Sequence, residues 1–151
     1  MIGLNEIKDA ITRKLDKELP DIKVVTEDVE QAQPKPGTGA ESLFPFFYVQ
    51  LIPIGMTPEM GMREAERSIL VDITYMEQSR SSNAAMYAVL DRLQVSIGYV
   101  LDVSDRHITI EQYNTTIADD LAHLTFYLVF TDVLPAEPEG LEMFGEIDIG
   151  F

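Results

Sequence analysis

His107 follows Ser104 and Asp105 in "SDRHITI", and His123 lies in "LAHLTFY". Serine, histidine and aspartate are the parts of a hydrolytic triad, but a triad draws them from separate elements around an exposed nucleophile. No G-x-S-x-G elbow is present to expose such a serine, and "SDRH" is more simply a polar turn ahead of a strand. Two acidic groups, Glu27/Asp28/Glu30 and Asp119/Asp120, carry oxygens that suit Ca²⁺ or Mg²⁺. Neither has the spaced Asp/Asn and glycine of a calcium loop, so both read as solvated faces or turns. With 0 cysteines there is no thiolate ligand, disulfide or cysteine nucleophile. Walker A and dinucleotide-binding glycine patterns are missing too, and the "GTG" of residues 37–39 lacks a strand before it and a helix after it. The expectation is a non-enzyme without cofactor or metal; a hydrolase ranks as a remote alternative.

Composition narrows the field further. The chain has 151 residues, 46% hydrophobic and 25% charged, which fits one globular domain with a full core. Acids outnumber Lys and Arg by 26 to 11, a net charge of −15. Such a surface repels phosphate backbones and disfavours nucleic-acid binding. The opening "MIGLNEIKDAITRKL" reads as neither a signal peptide nor a membrane span, so no membrane partner and synthesis in a cytoplasm are expected.

The elements that would position any site follow from periodicity. Leu4, Ile7, Ile11, Leu15 and Leu19 recur at helical spacing, with Asn5 as a cap and Pro20 as the stop. "IKVVTEDVEQ" reads as a strand and "AQPKPGTGAES" as a loop. "PFFYVQLI" reads as a strand bounded by Pro45 and Pro53. In "ERSILVDITYM", Ile69, Val71, Ile73 and Tyr75 share one face. A second helix spans "SSNAAMYAVLDRLQVSIGYV", capped by Ser81 or Ser82, with Met86, Leu90, Leu93 and Ile97 buried. "HITIEQYNTTI", the turn "ADD" and "LAHLTFYLVFTDVL" close the domain, the last as a central strand with Leu124, Phe126, Leu128 and Phe130 on one face. The fold class is therefore α+β: a mostly antiparallel sheet of about five strands with two helices on one face. The order is α-β-β-β-α-β-β plus an extended C-terminal tail. Residues 1–134 form the domain and 135–151 an acidic, apolar extension. Two helices cover only one sheet face, so the other is small, wet or covered by something else.

Two features resist a purely structural reading. "GMTPEMGMR" places Met56, Met60 and Met62 in a stretch that reads as a loop, next to Arg63 and Arg67. These methionines either fill the chain's own core or form a docking surface rimmed by the two arginines. The tail sets Leu141, Met143, Phe144 and Phe151 among acids. It lies on its own domain or threads onto a neighbour.

The order "EIKDAITRKL…LPDIKVVTEDVEQ", "PFFYVQL", "ERSILVDITYM", helix and "LTFYLVFTDVL" resembles the tail terminator family of tailed phages, in the form common among phages and prophages of Gram-positive bacteria. The likeness covers residues 4 to 134. The "PKPGTGAES" loop and the extension beyond Leu134 depart from the family pattern. The resemblance implies a virion structural protein of the tail and neck. It is expected to assemble in the host bacterial cytoplasm as a homo-oligomer, a hexameric ring, on the head-proximal end of a tail tube. Its implied partners are the tail tube protein, a head-completion or neck protein and, in contractile tails, the sheath. DNA would pass through the lumen without specific binding. The family offers no active-site residues to carry over. Under this reading the loop around Met60 is contact surface. A head–tail joining ring protein, or a small ligand-binding or regulatory domain with the methionine loop as a lid, are the alternatives.

Overall fold

The computed structural model describes residues 1–26, 44–58, 63–77, 79 and 82–134. Helix α1 (Leu4–Glu18) leads to the short strand β1 (Lys23–Val25), then β2 (Phe46–Pro58) and β3 (Glu64–Met76). Helix α2 (Asn83–Ile97) follows, then β4 (Val100–Val103), β5 (Arg106–Ala118) and β6 (Leu121–Val133). The strands make one six-stranded curled sheet in the order β1-β2-β3-β6-β5-β4. β1 runs parallel to β2, and every other pairing is antiparallel.

The periodic stripes become the core. In α1, Ile7, Ile11 and Leu15 are fully buried and Leu19 nearly so, while Leu4 at the helix start is exposed. In α2 the buried set is Met86, Leu90, Leu93 and Ile97. Both sets pack on the face of the sheet that carries Val49, Ile69, Val71, Ile73, Leu124, Phe126 and Leu128. Alternation along β3 and β6 thus sends one residue in two into a single core, as a half-covered sheet requires.

Local signals explain most element ends. Ser82 caps α2, its hydroxyl accepting from the Ala85 amide at 3.2 Å, an arrangement worth about 1 kcal/mol. Gly98 closes the same helix at φ 71 and ψ −147. Asp119 and Asp120, both at positive φ (52 and 62), form the two-residue turn between Ala118 and Leu121. Two left-handed residues in succession match the twist of the flanking strands.

Five details differ from expectation. The cap position of α1 is Gly3, without a side-chain bond, and Asn5 lies inside the helix. The sheet has six strands rather than five, because "VLDV" after Gly98 pairs with β5 as β4; four residues, the first of them inside the run read as a helix, carry too little alternation to mark a strand. The sheet is mixed, since β1 lies parallel to β2. β2 does not stop at Pro53 but continues through a bulge at Pro53/Gly55 to Pro58. A proline is tolerated at the rim of a sheet, where its missing N–H removes no ladder bond. Gly55, Met56, Thr57 and Pro58 are therefore strand, not loop.

Candidate assembly surfaces

The residues expected at a contact surface fall into three groups. Met56 pairs across the sheet with Arg67 and is half-exposed on β2. Arg63 is exposed at the start of β3, and its carbonyl accepts from the Leu134 amide at 2.7 Å. Met60, Met62, Leu141, Met143, Phe144 and Phe151 lie outside the described residues.

Arg67 behaves differently from a rim residue. It is 9% exposed, and its Nη1 donates to Asp132 Oδ2 at 2.9 Å and to the Ile2 carbonyl. Among the described residues Asp132 receives four donors: Arg67, the amides of Ile2 and Val133, and Arg106 Nη1 at 3.3 Å. Burial opposes ionisation of this carboxyl, but the bonds from Ile2, Arg67 and Val133 outweigh it and hold its pKa below the ordinary aspartate value. Both guanidinium carbons sit 5.4 Å from the Phe130 ring centroid, within cation–π range. This network clamps the chain start to β3 and β6. Its physical reason is register: Arg67 and Asp132 fall on the same face of the sheet as Ile69, Val71 and Leu128, and Ile2 bonds to both.

The histidines do not assemble a triad. His107 Nδ1 lies 2.5 Å from Asp102 Oδ1 across the β4–β5 hairpin, with both side chains largely exposed. His123 sits on the sheet face away from the helices, its Nδ1 3.0 Å from Thr74 Oγ1 and 3.3 Å from Asp72 Oδ1. The Thr74 hydroxyl also donates to Asp72 at 3.1 Å. Neither constellation combines a nucleophile, a base and an enclosed substrate cavity. Among the described residues no group of three or more His, Cys, Asp or Glu could hold a metal ion. No described helix is long and apolar enough to cross a membrane.

Besides Met1 and Leu4 at the chain start, large apolar side chains are exposed in two further groups among the described residues. Ile54 and Met56 are exposed by 55% and 50% on β2, and Val133 by 56% at the same end of the sheet. In the second group, Tyr87 and Val95 on α2, Tyr99 just after it and Val100 at the start of β4 are exposed. An open cleft of about 480 Å³ lies there, lined by Asp91, Gln94, Val95, Gly98 and Tyr99. The Tyr99 carbonyl accepts from the Ile110 amide at 2.9 Å, and Tyr113 on β5 donates to the Gly98 carbonyl, so the cleft is fixed to β5. Sequence reasoning passed over this second surface. Its signal was present: Tyr87 and Val95 lie off the Met86–Leu90–Leu93–Ile97 stripe, so a helix buried by that stripe must show them to solvent.

Comparison with known proteins gives one functional pointer. The family model described as phage tail terminator protein matches residues 6–140. No curated protein matches the sequence. Of the solved structures that are similar, one is 16% identical over 92% of this chain and 100% of its own, with a TM-score of 0.45, too distant a superposition to inform function.

Proposed function

Since the chain belongs to the phage tail terminator family, a structural rather than enzymatic family, we propose that it caps the head-proximal end of a tail tube as a closed ring. There it stops tube polymerisation and presents a docking surface to a head-completion or neck protein. The observation that carries this reading is the family match over residues 6–140, which takes in nearly every element of the fold. The two separated apolar surfaces support it physically. A ring subunit needs two unlike sides that meet head to tail, and a closed rotation ends growth. A hexamer is the proposed closure, with the tube below, the neck above and, in a contractile tail, the last sheath ring outside. The half-exposed Met56 and the methionine-containing segment that follows it are proposed as contact surface, as is the acidic, apolar extension of residues 135–151. A net charge of −15 suits a channel that passes DNA without holding it, because an anionic wall releases no counterions from phosphate.

Electron micrographs of particles from a strain lacking this chain test the proposal. Tubes of uncontrolled length without heads are the expected result. Tails of normal length that merely lack heads would overturn termination and assign a joining role instead.

A further inference from the structure

Acids outnumber Lys and Arg by 26 to 11 in this chain, yet Arg13, Lys14 and Lys17 gather in one groove. They line an open space of about 250 Å³ where α1 passes β4, together with Glu18 of the same helix and Leu101 and Asp102 of the strand. Arg13 and Lys17 stand one helical turn apart and are exposed. Neither has a carboxylate partner among the described residues, and Asp102 is already bonded to His107. In a chain of net charge −15, cations left without carboxylates beside a groove draw in an anionic ligand.

The groove runs into the apolar cleft beside α2 through Lys14. Its Nζ donates to the Val100 carbonyl at 2.6 Å and lies 3.9 Å from the position a Gly98 Cβ would take, and Gly98 and Tyr99 line the cleft. Val95 and Tyr99 are exposed there by 82% and 77%. Large apolar side chains held this far into water next to one another mark a contact site. Groove and cleft together form a strip that is basic on one side and apolar on the other.

A ligand for such a strip carries acids and large apolar side chains together, and no lysine or arginine. Residues 135–151, "PAEPEGLEMFGEIDIGF", have that composition. As an extended peptide, "EIDI" turns Glu146 and Asp148 to one side and Ile147 and Ile149 to the other. The segment starts after Leu134, whose amide is bonded to the Arg63 carbonyl, at the end of the sheet where Ile54, Met56 and Val133 are exposed. At about 3.3 Å per residue it reaches roughly 50 Å, more than the about 40 Å across a domain of this size. In a head-to-tail ring the unlike sides of successive copies meet, so a segment leaving from the first apolar group is delivered to the second group of the adjacent copy.

We infer that this strip receives residues 135–151 of the next copy in the ring. The acids of the segment sit on Arg13, Lys14 and Lys17, and its apolar side chains cover Val95 and Tyr99. This rests on the ring proposed above, and it names the contact that joins its subunits.

Carbodiimide coupling of carboxylates to lysines tests the contact, on an assembled mixture of ¹⁵N-labelled and unlabelled full chain whose size is followed by light scattering. Mass spectrometry should find Lys14 or Lys17 joined to a carboxylate of residues 135–151 in pairs that carry both labels. Rings in which these lysines couple elsewhere, or not at all, overturn the inference and leave the ring standing. Pairs that carry one label only show that the segment lies on its own subunit, and equally overturn it. Protein that stays monomeric at every concentration overturns the ring itself. Charge reversal gives a second measurement. Arg13→Glu with Lys17→Glu, both at exposed positions, should weaken assembly about tenfold at low salt. Adding Glu146→Lys and Asp148→Lys to that variant should restore it. A loss that the reversed segment does not restore, in protein with an unchanged circular dichroism spectrum, would assign the two cations to another contact and overturn the inference.

Discussion

Arg67 Nη1 and Asp132 Oδ2 meet at 2.9 Å with side chains 10% and 3% exposed, an ion pair inside the chain rather than at its surface. The pair also holds the amide and carbonyl of Ile2, so one carboxylate and one guanidinium fix the chain start, β3 and β6 together. Removing Arg67 leaves the buried carboxylate to Arg106 and two amides, and removing Asp132 leaves the buried guanidinium without its carboxylate. Arg67→Met is expected to cost about 3–5 kcal/mol in urea unfolding, whereas Arg67→Met with Asp132→Leu should recover much of that loss. A double variant no more stable than the single one would show that the network, not the stranded charge, sets the cost.

The lowered pKa of Asp132 fixes a pH dependence. A carboxyl bound more tightly as the anion in the fold than in the unfolded chain adds stability above its unfolded pKa of about 3.9. That contribution disappears as pH falls through the folded value, so unfolding free energy should drop on acidification below about pH 4. Asp132→Asn should be less stable at neutral pH and show a shallower acid limb in denaturant titrations. An unchanged limb would place the acid sensitivity on other carboxylates.

Gly98 stands at φ 71 and ψ −147, a region that L-residues with side chains avoid. Space is not the obstacle, because the nearest atom to an added Cβ is Lys14 Nζ at 3.9 Å. Gly98→Ala should therefore cost about 1–3 kcal/mol through the backbone alone. Thermal denaturation checks it, and a cost near zero would mean that the α2–β4 connection rearranges freely. Tyr113→Phe, which removes the hydroxyl bond to the Gly98 carbonyl, should lose about 1 kcal/mol.

Met56, half-exposed on β2, should tolerate a charge in the isolated chain. Met56→Asp is expected to shift folding stability by about 0.5 kcal/mol or less while weakening oligomer formation in light scattering. Met60→Asp with Met62→Asp is the companion experiment for the segment that follows. Variants that unfold would assign these methionines to the chain's own core.

Much of this architecture is written in short-range periodicity. Ile7, Ile11 and Leu15, or Met86, Leu90, Leu93 and Ile97, announce a buried helix face because 3.6-residue geometry forces them onto one side. Ile69, Val71, Ile73 and Leu124, Phe126, Leu128 do the same for strands with period two. Those patterns, with Ser82 as a cap, determined the helices, the long strands, the α+β class and which side of each element is core. The order of elements pointed to the family, and the lack of any catalytic string pointed away from an enzyme.

The tertiary structure decided what depends on partners far apart in the chain. "VLDV" is a strand only because β5 lies beside it, and β2 runs past Pro53 only because β3 continues to pair with it. Arg67 reads as a surface cation until register sets it opposite Phe130 and next to Asp132 and Ile2, residues 65 positions away on either side. Whether a strand has one neighbour or two is a property of the sheet, since its amides and carbonyls are the same chemical groups in every residue and carry no mark of where their partners will come from.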